Sequence, residues 1–120
     1  DITFTISADD QQKERIAIIM QDSLKKIGMN VQIQKLAYAQ FNELQQGSRL
    51  QIWGYEWISW VNDPFYHLTW LAQSASPSNY PRINNPRIDE LIQQYTMSDD
   101  IEARDAASKE IQAIINDESP

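Results

Sequence analysis

Apolar and polar residues alternate at the start of the chain. Ile2, Phe4 and Ile6 are separated by Thr3, Thr5 and Ser7, the period-two pattern of a strand with one buried face. The pattern then changes to a helical period, with Ile16, Met20, Leu24 and Ile27 on one predicted face. Ser7 and Asp10 have the spacing of a capping box, Lys25 and Lys26 stand in the last turn where the helix dipole favours cations, and Gly28 closes the helix. Val31 and Ile33 alternate with Gln32 and Gln34, which predicts a second strand after a very short connection. Strand, helix and strand make a βαβ unit whose two strands run parallel.

A shorter helix is predicted around Phe41 and Leu44, ended by Gly47. From Leu50 to Trp57 both alternating sets are apolar or aromatic, so a third strand covered on both faces is expected. Asp63-Pro64 is a cap followed by proline at the first helical position, and the helix it opens is expected to reach about Trp70. Ser74 to Asn84 is rich in Ser, Pro and Asn without periodicity and reads as a loop. Asn85-Pro86 repeats the cap-and-proline signal, with Ile88, Leu91, Ile92 and Tyr95 at helical spacing behind it. A last helix is expected from near Asp99, with Ala103, Ala107, Ile111 and Ile114 on its buried face. The sum is an α/β fold with a mostly parallel sheet and a helical C-terminal tail. A length of 120 residues suits a single domain over residues 1–120.

Charge and composition narrow the chemistry. A formal net charge of −7 argues against a nucleic-acid partner, because phosphate binding needs a basic face. Much of the excess lies after Asn85, where two acidic helices are expected to present solvated outer faces. No cysteine is present, which removes disulfides, thiolate nucleophiles and cysteine metal sites together. The three glycines are isolated, so neither a dinucleotide fingerprint nor a phosphate-cradling loop can be written. His67 is the sole histidine, and partial burial beside a helix is expected for it rather than metal binding or catalysis. No serine stands on a G-x-S-x-G elbow, and the Asp9-Asp10 and Asp99-Asp100 pairs lie beside helix starts, where they complement the dipole. Neither an enzyme nor a cofactor is expected. The first residues have neither the charged start nor the apolar stretch of a secretion signal, so a mature or excised segment is expected.

One feature is concentrated. Trp53, Tyr55, Trp57, Trp60, Phe65, Tyr66 and Trp70 put seven of the chain's twelve aromatic residues into 18 positions. Trp and Tyr join a large apolar face to a polar handle, which suits them to lining pockets for peptides or sugars. Trp53 and Tyr55, inside the expected strand, are assigned to the core. Trp57 and Trp60, at and beyond its carboxyl end, are assigned to a cleft, because open parallel sheets bind ligands outside the carboxyl ends of their strands.

Four stretches, in this order and spacing, resemble the second lobe of the family 5 solute-binding proteins, the periplasmic dipeptide and oligopeptide receptors of ABC transporters. They are Ile16 to Val31, Gln51 to Pro64, Asn79 to Leu91, and the final acidic helix ending at Asp117-Glu118-Ser119-Pro120. The resemblance implies one lobe of a type II periplasmic-binding-protein fold, an excised part of a receptor that closes on a peptide or other small solute between two lobes. It implies a periplasmic or extracellular location, with ABC permease subunits and the remaining lobe of the same chain as partners. Registered on Asp63-Pro64, Trp57 matches a cleft tryptophan of the family. Trp60 falls where many peptide receptors carry the aspartate that pairs with the free amino terminus of a ligand. Ser59 accompanies these tryptophans, Glu56 is a candidate substitute for the missing carboxylate, and Asn79, Tyr80 and Arg82 match a loop near the cleft. Two alternatives stay open: a sensor domain of a regulatory protein on the same fold, and a receptor for a non-peptide solute such as an oligosaccharide.

Overall fold

A computed structural model describes residues 1–58 and 60–118. The chain forms two compact units, Asp1–Trp57 and Ile58–Pro120, and separate core clusters fall in them.

The first unit contains β1 (Ile2–Ser7), α1 (Gln11–Lys25), β2 (Val31–Leu36), α2 (Tyr38–Gln46) and β3 (Ile52–Trp53). The sheet has the order β2-β1-β3 with parallel pairings throughout. Ile2 lies opposite Val31 and Ser7 opposite Leu36, while Phe4 and Thr5 face Ile52 and Trp53. The expected βαβ unit is therefore present. As the central strand, β1 is covered on both faces rather than one: Thr5 is as buried as Phe4 and Ile6, and its hydroxyl pairs with Gln34 Oε1 at 3.3 Å. A buried hydroxyl needs such a partner to offset its lost hydration.

The face of α1 is rotated from the one the spacing predicts. Lys13 and Ala17 are buried and Met20 and Leu24 pack on the sheet, whereas Ile16 is 46% and Ile27 71% exposed. Ala17 is fully buried, and its small side chain permits close approach to the strands. Ile27 lies beyond the last helical residue. The N-cap is Asp10, whose side chain accepts from Lys13 N at 2.9 Å; Ser7 instead bonds to Asp9. Gly28 has φ +83°, the left-handed conformation expected after a helix end, and Met29 N returns to Leu24 O at 3.0 Å.

The third strand is shorter than expected. Only Ile52 and Trp53 pair, both half-buried, and Tyr55 is exposed. The two-sided cover expected from Leu50 to Trp57 is absent. The strand has one neighbour in the sheet, and beyond Trp53 the chain leaves the ladder, so apolar composition there does not translate into burial.

The second unit is helical: α3 (Pro64–Ala72), α4 (Pro86–Tyr95) and α5 (Ile101–Glu118). Both cap-and-proline signals act as expected. Asp63 accepts from Phe65 N at 2.9 Å, and Asn85 accepts from Arg87 N and Ile88 N at 2.8 and 3.2 Å. Phe65, Ala72, Ile83, Ile88, Leu91, Ile92, Ala107 and Ile111 form the core, which bears out the predicted faces of α4 and α5. Outside it, Arg87 bridges Glu90 at 2.8 Å and Glu110 at 2.7 Å.

Candidate functional site

The aromatic stretch begins in the first unit beyond the paired part of β3. Gly54 leaves room there for a close approach: a Cβ at this position would lie 2.9 Å from Lys13 Cδ. The Lys13 stem is thus laid against the backbone, and its ammonium meets Glu56 Oε1 at 2.7 Å and Asp10 Oδ2 at 3.5 Å. Asp10 follows the carboxyl end of β1 and Glu56 follows that of β3, so the lysine ties together two chain segments leaving neighbouring parallel strands. The Lys13 side chain is 9% exposed and that of Glu56 63%. The hydrogen bond to Glu56, more than the other influences, holds the Lys13 pKa above its ordinary value. The Lys13 backbone N–H in turn holds the Asp10 carboxyl below its own.

Trp57 is half-buried, and its indole Nε1 is buried without an acceptor among the described residues. A buried indole N–H normally finds a partner, which leaves one donor of this side chain unspent. Ser59 lies outside the described residues.

In the second unit Trp60 is 87% exposed. It borders a groove of about 480 Å³ lined by Trp60, Val61, Asn62, Asp63, Pro64 and His67. Asp63, the one carboxylate in this lining, is committed twice: Oδ1 caps α3, and Oδ2 pairs with the Arg104 guanidinium from α5. Arg104 also stands 5.3 Å from the Phe65 ring centroid, within cation–π range. His67 is half-buried with its ring 6.0 Å from that of Tyr66 in edge geometry, the environment expected for it. Among the described residues no group of three His, Cys, Asp or Glu side chains is placed to hold a metal ion, and no helix is long and apolar enough to cross a membrane.

The loop candidates fall elsewhere in the second unit. Asn79 is 7% exposed, and its amide is spent on the backbone. Nδ2 donates to Ile83 O at 2.7 Å and Gln73 O at 3.2 Å, and Oδ1 accepts from Ile83 N at 2.9 Å. Three bonds thus exhaust both donors of this amide and engage its acceptor. Tyr80 beside it is half-buried, and Arg82 has φ +63°, an uncommon conformation for a residue with a Cβ. Sequence reasoning missed Lys13 and Arg104. The signal for Lys13 was its place four residues before Ala17 on the true buried face of α1; for Arg104 no local pattern announces a partner 41 positions away.

Comparison with known proteins places this geometry in a family. The family model described as "Bacterial extracellular solute-binding proteins, family 5 Middle" matches residues 1–79. The periplasmic murein peptide-binding protein MppA of Escherichia coli (strain K12) is 24% identical over 111 residues, which are 92% of this chain and 20% of MppA. The unliganded open form of MppA superposes with a TM-score of 0.87 at 23% identity, over 95% of this chain and 22% of that one. The Helicobacter pylori protein DppA in complex with a peptide gives a TM-score of 0.82 at 22% identity, over 95% and 23%. The chain thus spans about a fifth of the length of the curated relative it matches, and its fold is that of part of a type II periplasmic-binding-protein lobe.

Proposed function

Since the chain belongs to the family 5 bacterial extracellular solute-binding proteins, we propose that it is part of the substrate-binding component of an ABC transporter, which captures peptides or related solutes between two lobes and hands them to membrane permease subunits. The reading places the protein in the periplasm, or outside the cell and held at the membrane in organisms without a periplasm. Trp57 and Trp60 contact the ligand in this proposal, with Ser59 between them in sequence. Glu56 and the loop bearing Asn79 and Tyr80 shape the surroundings.

The observation that carries this reading is Trp60. A tryptophan left 87% exposed at the edge of a groove contributes nothing to a core, and such side chains are favoured where a partner or ligand covers them. A ligand that bridges two lobes only when they are shut shifts the population toward the closed state by its differential affinity. The names of MppA and of the DppA complex support peptides as the solute class.

The test is native mass spectrometry of the full-length receptor purified from its host. A retained mass that matches a peptide supports the reading; a retained sugar or other non-peptide solute overturns the peptide assignment and leaves the binding role.

A further inference from the structure

From Leu50 to Asn84 the sequence contains two acidic residues, Glu56 and Asp63, and each is neutralised by a cation from a helix of its own unit. In the first unit the Lys13 ammonium, on a side chain only 9% exposed, donates to Glu56 Oε1 at 2.7 Å. In the second, Asp63 accepts from Phe65 N and pairs with Arg104. A carboxylate fixed against one cation attracts a second weakly, because the first cation repels the newcomer at nearly the range over which the carboxylate attracts it. Between Gly54 and His67 what remains in each unit is neutral: in the second, the exposed face of Trp60, the ring of Pro64, the amide of Asn62 and the imidazole of His67 around one groove; in the first, the indole N–H of Trp57, which has no acceptor among the described residues.

We infer, on the reading proposed above, that neither the segment around Glu56 and Trp57 in the first unit nor the Trp60 groove in the second receives an ammonium group of the ligand, each taking an uncharged part, and that Lys13 and Arg104 set this preference by keeping the Glu56 and Asp63 carboxylates occupied. Lys13 and Arg104 are then specificity-determining residues that need not touch the ligand. A neutral aromatic surface of this kind suits an apolar side chain, a capped amine or a sugar face. The free amine of a peptide, where the ligand has one, is left to other parts of the receptor.

The experiment uses the full-length receptor and a pool of short peptides, each supplied with a free and with an N-acetylated amino terminus, and reads the bound ratio of the two forms by native mass spectrometry. The charge-neutral pair Lys13→Met with Glu56→Gln, and separately the charge-neutral pair Arg104→Gln with Asp63→Asn, which keeps a capping oxygen, are expected to leave the wild-type ratio unchanged within about twofold. Lys13→Met alone unmasks Glu56 and is expected to raise the preference for the free amine by about tenfold or more, the scale of one charge-assisted hydrogen bond. A merely structural lysine would lower both forms equally. A fall of about tenfold in either neutral variant would show that Glu56 or Asp63 holds the ligand amine and overturns the inference. An unchanged ratio in Lys13→Met overturns the role given to the lysine. If the wild type binds neither form of any peptide, the peptide reading itself fails and the inference falls with it.

Discussion

The stem of Lys13 lies where a side chain on Gly54 would stand, 2.9 Å from the position of its missing Cβ. The two residues are 41 positions apart, yet each dictates the other: the glycine opens a channel along the backbone, and the lysine fills it with methylenes and carries its charge to Glu56. Gly54→Ala is expected to destabilise the protein by about 1 kcal/mol, because the displaced part is a flexible side chain, and Gly54→Val by about 1–3 kcal/mol. In a double-mutant cycle read by urea unfolding, Lys13→Ala is expected to abolish most of the penalty of Gly54→Ala. Additive effects would contradict the contact.

Trp60→Ala separates binding from folding. With 87% of the residue exposed, its removal is expected to change stability by less than about 0.5 kcal/mol. Affinity of the full-length receptor for its ligand is expected to fall about tenfold or more, as for a central aromatic anchor. Calorimetric unfolding and binding titrations on the same preparation check both halves; unchanged affinity refutes the assignment of Trp60 to ligand.

Asn79→Ala should do the reverse. It leaves the N–H and C=O of buried Ile83 without their partner, and a loss of about 2–3 kcal/mol is expected from the stranded groups. Asn79→Asp keeps an acceptor for Ile83 N but cannot donate to Ile83 O or Gln73 O, so it is expected to fail as well. Urea unfolding of both variants measures this.

Acid weakens the surface bridge between α4 and α5. The Arg87 guanidinium holds the Glu110 carboxyl below its ordinary value of 4.5. A lowered folded-state pKa contributes stability that is present above the unfolded value and is lost as pH falls through the folded one. Wild type is therefore expected to be more stable than Glu110→Gln at neutral pH. The difference should shrink steadily as pH drops below 4.5. Both residues are half-exposed, so added salt should reduce it too. A pH-independent difference, tracked by denaturation midpoints, would exclude the ion pair as its cause.

Much of the fold was legible because its signals were local. Caps at Asp63 and Asn85, prolines behind them and the Ile88–Leu91–Ile92 face each depend on residues within one or two turns. The α1 face was misjudged by about one residue's rotation because apolarity alone favoured Ile16 over Lys13, and only contact with Gly54 explains why a lysine stem belongs inside. The third strand was overread for a similar reason. Alternating aromatic residues from Trp53 to Trp57 look like a buried strand, but burial needs neighbours on both sides, and the sheet supplies one. Of the candidate site, the tryptophans were visible from composition. The neutralisation of Glu56 and Asp63 was not, since Lys13 and Arg104 reach them from 43 and 41 positions away.

Among the described residues from Tyr55 to Asn62, none belongs to either core cluster. Substitutions in this window therefore alter the surface while leaving both packed interiors nearly untouched. Small edits here are tolerated because the folding free energy is held in other parts of the chain. A TM-score of 0.87 at only 23% identity over nearly the whole chain fits a scaffold that asks of its cores volume and pattern more than particular residues.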